Sequence, residues 1–234
     1  MENKELASNN LDFLVSAGKG VLGIIPIGGS LLSELIGNII PNQRLDRITE
    51  YIKILDEKFQ LIPINKINSL LDHPGFCDFI EEGFVQASRA ITDERRRYIA
   101  SIICNGINQD EVLLVESKML LKILQELSDI EIIWLRRFKD PTVGGDKKFR
   151  NAHKSILSQA RDYYDDSEKA FYKEAIQNSY KDHLERLNLI QSKIRIDRLS
   201  KMPEFDSKGN LKKGTVTLTV LGYLLLKEIG LMET

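Results

Sequence analysis

Three histidines, two cysteines, an acidic run, an arginine run and a glycine-rich run are where this chain could do chemistry. His73, His153 and His183 stand far apart. None forms an H-x-x-x-H pair or pairs with a cysteine, so metal-ligand spacing is missing and each reads as a surface or turn residue. Cys77 and Cys104 sit in "GFCDFI" and "SIICNGI" and read as two buried thiols in a reducing compartment. The run "YYDDSE" gathers Asp165, Asp166 and Glu168, a set that could hold a divalent ion. Acids also favour the first turn of a helix, and that is the reading adopted. Arg95 to Arg97 could bind phosphate, but on a helix they project in different directions and read as a solvated face. No serine stands in G-x-S-x-G, and Trp134 lies in an apolar run and reads as core. No catalytic, cofactor-binding or metal-ligating residue is expected, no cofactor, and no small-molecule substrate.

The glycine-rich run is "GKGVLGIIPIGGSLLSELIGNIIP", Gly18 to Pro41. Gly18, Gly20 and Gly23 match G-x-G-x-x-G, the dinucleotide motif. That motif needs a strand, a helix and a second parallel strand around it. Pro26 and Gly28-Gly29 interrupt the helix, and residues 42–59 have helical spacing where the second strand belongs. A phosphate loop is excluded, because Gly20 follows Lys19 where Ser or Thr is required.

Between Val21 and Ile40 the single charge is Glu34, and a spanning helix needs ~20 apolar residues. Pro26, four glycines, two serines and Asn38 dilute the run. After Pro26 it is amphipathic: Ile27, Leu31, Leu35 and Ile39 recur every fourth residue, with Ile36 alongside. Two readings stand: a broken helical hairpin covering a core, and a segment that enters a membrane interface or packs on a partner. The membrane or partner contact is assigned to Ile27, Leu31, Leu35, Ile36 and Ile39.

The rest of the chain is read for the elements that would position these residues. An apolar content of 42% with 29% charged residues fits a globular domain, and a formal charge of −1 excludes a general nucleic-acid coat. "NQRLDRITEYIKILDEKF" has apolar residues at helical spacing and ends before Pro63. "NKINSLLD" follows, then the turn His73-Pro74-Gly75, then "FCDFIEEGFVQASRA". Thr92 caps "ERRRYIASIICNG", which is expected to stop at Gly106. Asn108 with Glu111 opens a helix through "VLLVESKMLLKILQEL", and Ser128 with Glu131 forms a capping box before "DIEIIWLRRF". A loop at "DPTVGG" and a polar helix-prone stretch to Leu189 come next. "SKIRIDRLSK" and "TVTLT" then predict strands joined by a hairpin tip at "FDSKGNLKKG", and "VLGYLLLKEIGL" a closing helix.

The reading is an all-α protein: a helical bundle over residues 10–126, then a winged-helix-like module over 127–234 with a small C-terminal β-hairpin. From Arg186 to Lys213 eight basic residues face three acidic ones. Lys193, Arg195, Arg198, Lys212 and Lys213 are the phosphate contacts if the wing binds nucleic acid. The helix before the wing mixes Glu and Asp with Lys, which disfavours a groove, and such modules also bind proteins.

The ordered set of a glycine-rich apolar start, "IPNQRLDRITEYIKIL", "FVQASRAITDERRRYIASIICNGI" and a leucine-rich ending with L-T-x-x-G resembles bacterial abortive-infection proteins of the Abi-alpha type. The resemblance implies a helical protein of phage defence or stress response, and carries no catalytic residues. The expected protein is non-enzymatic and cytoplasmic, and peripheral to the inner membrane face where its N-terminal segment engages lipid. It acts through a protein partner, self-association or a membrane surface; the alternative is a winged-helix DNA-binding regulator.

Overall fold

A computed structural model describes residues 44–70, 73–108, 112–142, 145–158, 167–206 and 209–232. Ile27, Leu31, Leu35, Ile36 and Ile39 lie outside the described residues, as do Asp165 and Asp166. The described chain is mostly helical, with one two-stranded antiparallel sheet. It divides into two compact units. One holds the described residues up to Glu126 together with Glu228–Gly230, and the other holds those of Leu127–Lys227 and Leu231–Thr234.

The first unit contains α1 (Leu45–Phe59), α2 (Ile64–Leu70), α3 (Pro74–Arg89), α4 (Asp93–Asn108) and α5 (Val112–Glu126). The stripe predicted on α1 is buried: Ile48, Ile52, Leu55 and Phe59 all face the core. Removing such side chains from water is the main stabilising term, about 1.5–3 kcal/mol each. α4 is central and packs against α1, α2, α3 and α5. His73 caps α3, its Nδ1 accepting from the Gly75 N–H at 3.1 Å, and the Thr92 hydroxyl accepts from the Arg95 N–H at 3.2 Å.

Gly106 does not end α4, which runs on to Asn108. A Cβ at Gly106 would stand 2.9 Å from the Phe79 ring and 2.8 Å from the Ser117 hydroxyl. The glycine serves a close approach of α3 and α5 to α4, where the sequence suggested a cap. Gly83 does the same for Tyr51 and Ile103, whose atoms would lie 2.9 Å from a Cβ.

The second unit opens on α6 (Asp129–Arg137), followed by α7 (Lys147–Ala152), α8 (Lys154–Leu157) and α9 (Glu168–Arg186). The helix-prone stretch after residue 146 is thus three helices among the described residues. The Ser128 capping box is complete: its hydroxyl accepts from the Glu131 N–H at 3.2 Å, and Glu131 Oε2 accepts from the Ser128 N–H at 2.7 Å. α9 buries one seam, Ala170, Gln177 and Leu184, at a spacing of seven. Gln177 anchors it, donating to the Ser158 carbonyl at 2.9 Å.

β1 (Ile190–Ile194) pairs antiparallel with β2 (Lys213–Leu218), with a register irregularity between Ser192 and Ile194. Thr219 then caps α10 (Val220–Glu228), its hydroxyl accepting from the Gly222 N–H at 3.0 Å. A Cβ on Gly222 would fall 2.1 Å from the Leu189 carbonyl oxygen. L-T-x-x-G is therefore a capping threonine followed by a glycine that lets the helix start pass over the chain just before β1.

Candidate functional site

The arm of residues 193–213, the tip of β1 and the segment that joins it to β2, carries four of the five basic residues singled out in the sequence beyond its base: Lys193, Arg195, Arg198 and Lys212. Lys213 stands at its base. The arm is not a simple hairpin. The Arg195 N–H donates to the Lys212 carbonyl at 2.9 Å, the Lys212 N–H to the Glu204 carbonyl at 2.8 Å, and the Glu204 N–H to the Arg195 carbonyl at 2.9 Å. These three bonds close a ring, so three extended segments meet at one junction. Two bridges extend from it, Ile196 opposite Pro203 and Phe205 opposite Leu211. Each leads to a turn.

Aspartates hold both turns. Asp197 Oδ1 accepts from the Leu199 N–H at 3.0 Å, the Ser200 N–H at 2.7 Å and the Ser200 hydroxyl at 2.9 Å. These bonds, the Ser200 N–H first, hold the Asp197 carboxyl below its ordinary range. Lys201 takes a left-handed φ of 58° to complete the turn. In the second turn Asp206 Oδ1 accepts from the Asn210 N–H at 2.9 Å, and Gly209 adopts a φ of 81°, which glycine takes without penalty.

Side chains alternate across an extended segment, and bridged partners share a face. Arg195, Glu204 and Lys212 therefore stand together on one face. Lys212 Nζ lies 3.4 Å from Glu204 Oε2, and a Cβ on Gly214 would meet the Arg195 Cγ at 3.3 Å, which fits the same placement. Alternation puts Asp197 and Asp206 on this face too. The other face carries Ile194, Ile196, Pro203, Phe205, Leu211 and Lys213. All five apolar members are exposed, Phe205 at 57%. At the first turn Leu199 is 95% and Met202 66% exposed.

The basic residues divide. Lys213 reaches back to α9, its Nζ 2.5 Å from Glu185 Oε2 and 3.3 Å from Asp182 Oδ1. The Glu185 carboxylate, aided by Asp182, raises the Lys213 ammonium above its ordinary value despite some burial. Lys193, Arg195, Arg198 and Lys201 are exposed and have no carboxylate partner among the described residues. The sequence reading counted Lys201 in the basic surplus but not among the contacts, and it missed the apolar face. Its signal was the alternation I-R-I in "KIRID", which marks a two-faced ribbon, not only a basic one.

Elsewhere the sequence candidates turn inward. Arg96 is 6% exposed, donates to the Ala90 carbonyl at 2.9 Å and pairs with Asp93. Arg95 donates to the Leu124 carbonyl at 2.7 Å. Of the arginine run read as a solvated face, only Arg97 is exposed, because α4 is packed on four sides. Cys104 is buried, and burial pushes its thiol up to about 12, whereas Cys77 is only half-buried.

His183 is not a plain surface residue. Its Nδ1 lies 2.6 Å from Glu131 Oε1, and the Ser128 hydroxyl donates to Glu131 Oε2 at 2.8 Å. Burial alone would raise the Glu131 carboxyl. The Ser128 N–H, the His183 ring and the Ser128 hydroxyl outweigh it and hold the carboxyl low. The carboxylate stands between serine and histidine. That order is a helix cap tied to α9 and differs from an acyl-transfer triad, where the imidazole stands in the middle.

Trp134 is 1% exposed, as core, with the Arg137 guanidinium 5.0 Å and the Lys181 ammonium 5.2 Å from the ring centroid. This pins α9 on α6 through cation–π attraction. Among the described residues no three His, Cys, Asp or Glu side chains gather as metal ligands. No helix of the described residues is long and apolar enough to cross a membrane. In comparisons with protein-family models, curated proteins and solved structures, nothing matches this chain.

Proposed function

We propose that the chain is a non-enzymatic phage-defence or stress-response protein that works through its surface, with the arm of residues 193–213 as the contact element. In this reading residues 10–126 form a helical bundle, and residues 127–234 a winged-helix-like module whose wing is the arm. One observation carries it: the arm spends its carboxylates on its own turns and junction while its apolar face and four cations stay open to a partner. Monomers seldom leave a contiguous apolar patch without use. The resemblance to abortive-infection proteins supplies the cellular setting.

The test is induced expression in bacteria, with viability and phage survival as readouts. Arm variants that keep the parent's circular dichroism should lose the phenotype. A phenotype that survives an inert arm but disappears in His183→Ala, with the fold intact, would place the activity at the Glu131–His183 pair and overturn this reading.

A DNA-binding regulator is the second reading, and the four cations without acidic partners favour it. The helix before the wing opposes it, since Asp182 and Glu185 on α9 take up Lys213. Duplex binding with a salt slope that falls when Arg195 and Arg198 become Ala would select it.

A further inference from the structure

We infer that the arm docks on an anionic lipid surface, with its apolar face and the Leu199–Met202 turn entering the interface. This rests on the reading that the arm is the working surface, and names its partner.

Three observations point to lipid. The first is segregation: Asp197, Glu204 and Asp206, all the acids of the arm, stand on the face with Arg195 and Lys212. The apolar face therefore carries none of the arm's own carboxylates, and at its base Asp182 and Glu185 of α9 are paired with Lys213. The second is the turn. Leu199 and Met202, the most exposed apolar residues of the arm, are flanked by Arg198 and Lys201, while Asp197 is held by backbone N–H groups. Apolar side chains that enter the acyl boundary beside cations at headgroup level are what an interfacial element needs. The third is net charge: residues 193–213 hold seven basic and three acidic residues, a surplus of the whole arm, since Arg195 and Lys212 share the face of the acids. Cations near an anionic leaflet each strengthen attachment.

The other occupants satisfy only half of this. Nucleic acid takes the cations but leaves Phe205, Leu211 and Leu199 in water. A second copy brings the same positive surplus, with no complementary acids on its apolar face.

The experiment is co-sedimentation of the full chain with vesicles of phosphatidylcholine alone or with about a third phosphatidylserine. Binding should require the anionic lipid and weaken as salt rises from about 0.1 to about 0.5 M. Leu199→Ser with Met202→Ser should weaken it at least about tenfold, as should Arg198→Glu with Lys201→Glu, while circular dichroism stays that of the parent. Leu31→Glu with Leu35→Glu tests the N-terminal apolar run as the source of binding. Several results would overturn the inference: equal binding to neutral vesicles; binding lost in Leu31→Glu with Leu35→Glu but kept in both arm variants; a dimer that the Leu199/Met202 variant dissolves; or duplex binding in place of vesicle binding. If vesicles do not bind yet the arm variants abolish the cellular phenotype, the lipid assignment falls and the contact reading stands. If arm variants leave the phenotype unchanged, the contact reading itself falls.

Discussion

Two basic stretches of this chain look alike as text and do opposite things. In α4, "ERRR" turns Arg95 and Arg96 inward, where backbone carbonyls of Leu124 and Ala90 accept from their guanidinium groups. In the arm, Arg195 and Arg198 turn outward, and the acids nearby are engaged by backbone N–H groups or by Lys212. An arginine beside a helix end can satisfy carbonyls that the helix leaves open, and α4 is surrounded by such ends. An arm of three extended segments closes its own backbone hydrogen bonds, and its acids hold the turns, so Arg195 and Arg198 are left with no carbonyl to satisfy. Basic residues are free for partners where the backbone is already satisfied.

The comparison can be broken most directly at Arg96. Arg96→Ala should lower stability by about 2–3 kcal/mol, because it strips a charge-assisted bond from a buried carbonyl and empties its packing. Urea unfolding measures it. Arg97→Ala, one residue away and exposed, should leave the midpoint in place. Equal effects at the two positions would end the distinction.

An acid gives the next largest effect. Glu131 is turned inward as Arg96 is, with its folded carboxyl held low. Its contribution is therefore present above the unfolded carboxylate value near ~4.3 and is lost as pH falls through the lowered folded value. Glu131→Gln should cost about 1–3 kcal/mol at neutral pH and flatten the acid side of the stability curve. An unchanged curve would mean that the bonds to Ser128 and His183 carry no weight.

A smaller effect, of opposite sign, is expected at Tyr51. Its hydroxyl is buried with no hydrogen-bond partner, against Gly83 and beside Phe84, whose ring lies 5.3 Å away at 89°. Burial, with the Cys104 thiol nearby, raises the phenol well above its ordinary value. Tyr51→Phe removes an unsatisfied group and should stabilise by up to about 1 kcal/mol in thermal unfolding. A loss of stability would show a partner for the hydroxyl.

The smallest structural effect belongs to the arm. Arg195→Ala, Arg198→Ala and Lys201→Ala should leave the urea midpoint unmoved, in contrast to Arg96→Ala. Native-state alkylation adds a check of the same kind on the cysteines. Half-buried Cys77 should react well ahead of Cys104, whose thiol is pushed up to about 12.

The helices with strong local signals are legible in the sequence. The apolar spacing of α1, the Ser128–Glu131 box and the Thr92 cap need only a few neighbours along the chain, so their physics is local. It also placed two strands near the end, and the basic surplus between them. It did not determine what the glycines at 83, 106 and 222 are for, because each answers to an atom of a distant segment: Tyr51 and Ile103, Phe79 and Ser117, and the Leu189 carbonyl. Nor did it show that Arg95 and Arg96 point inward, that His183 meets Glu131 across 52 positions, or that three segments close a ring at Arg195, Glu204 and Lys212. Only the tertiary structure decides these, since a side chain's burial and a ladder's partners are fixed by which distant segments come together. The two faces of the arm follow from that ring, and so does its proposed use.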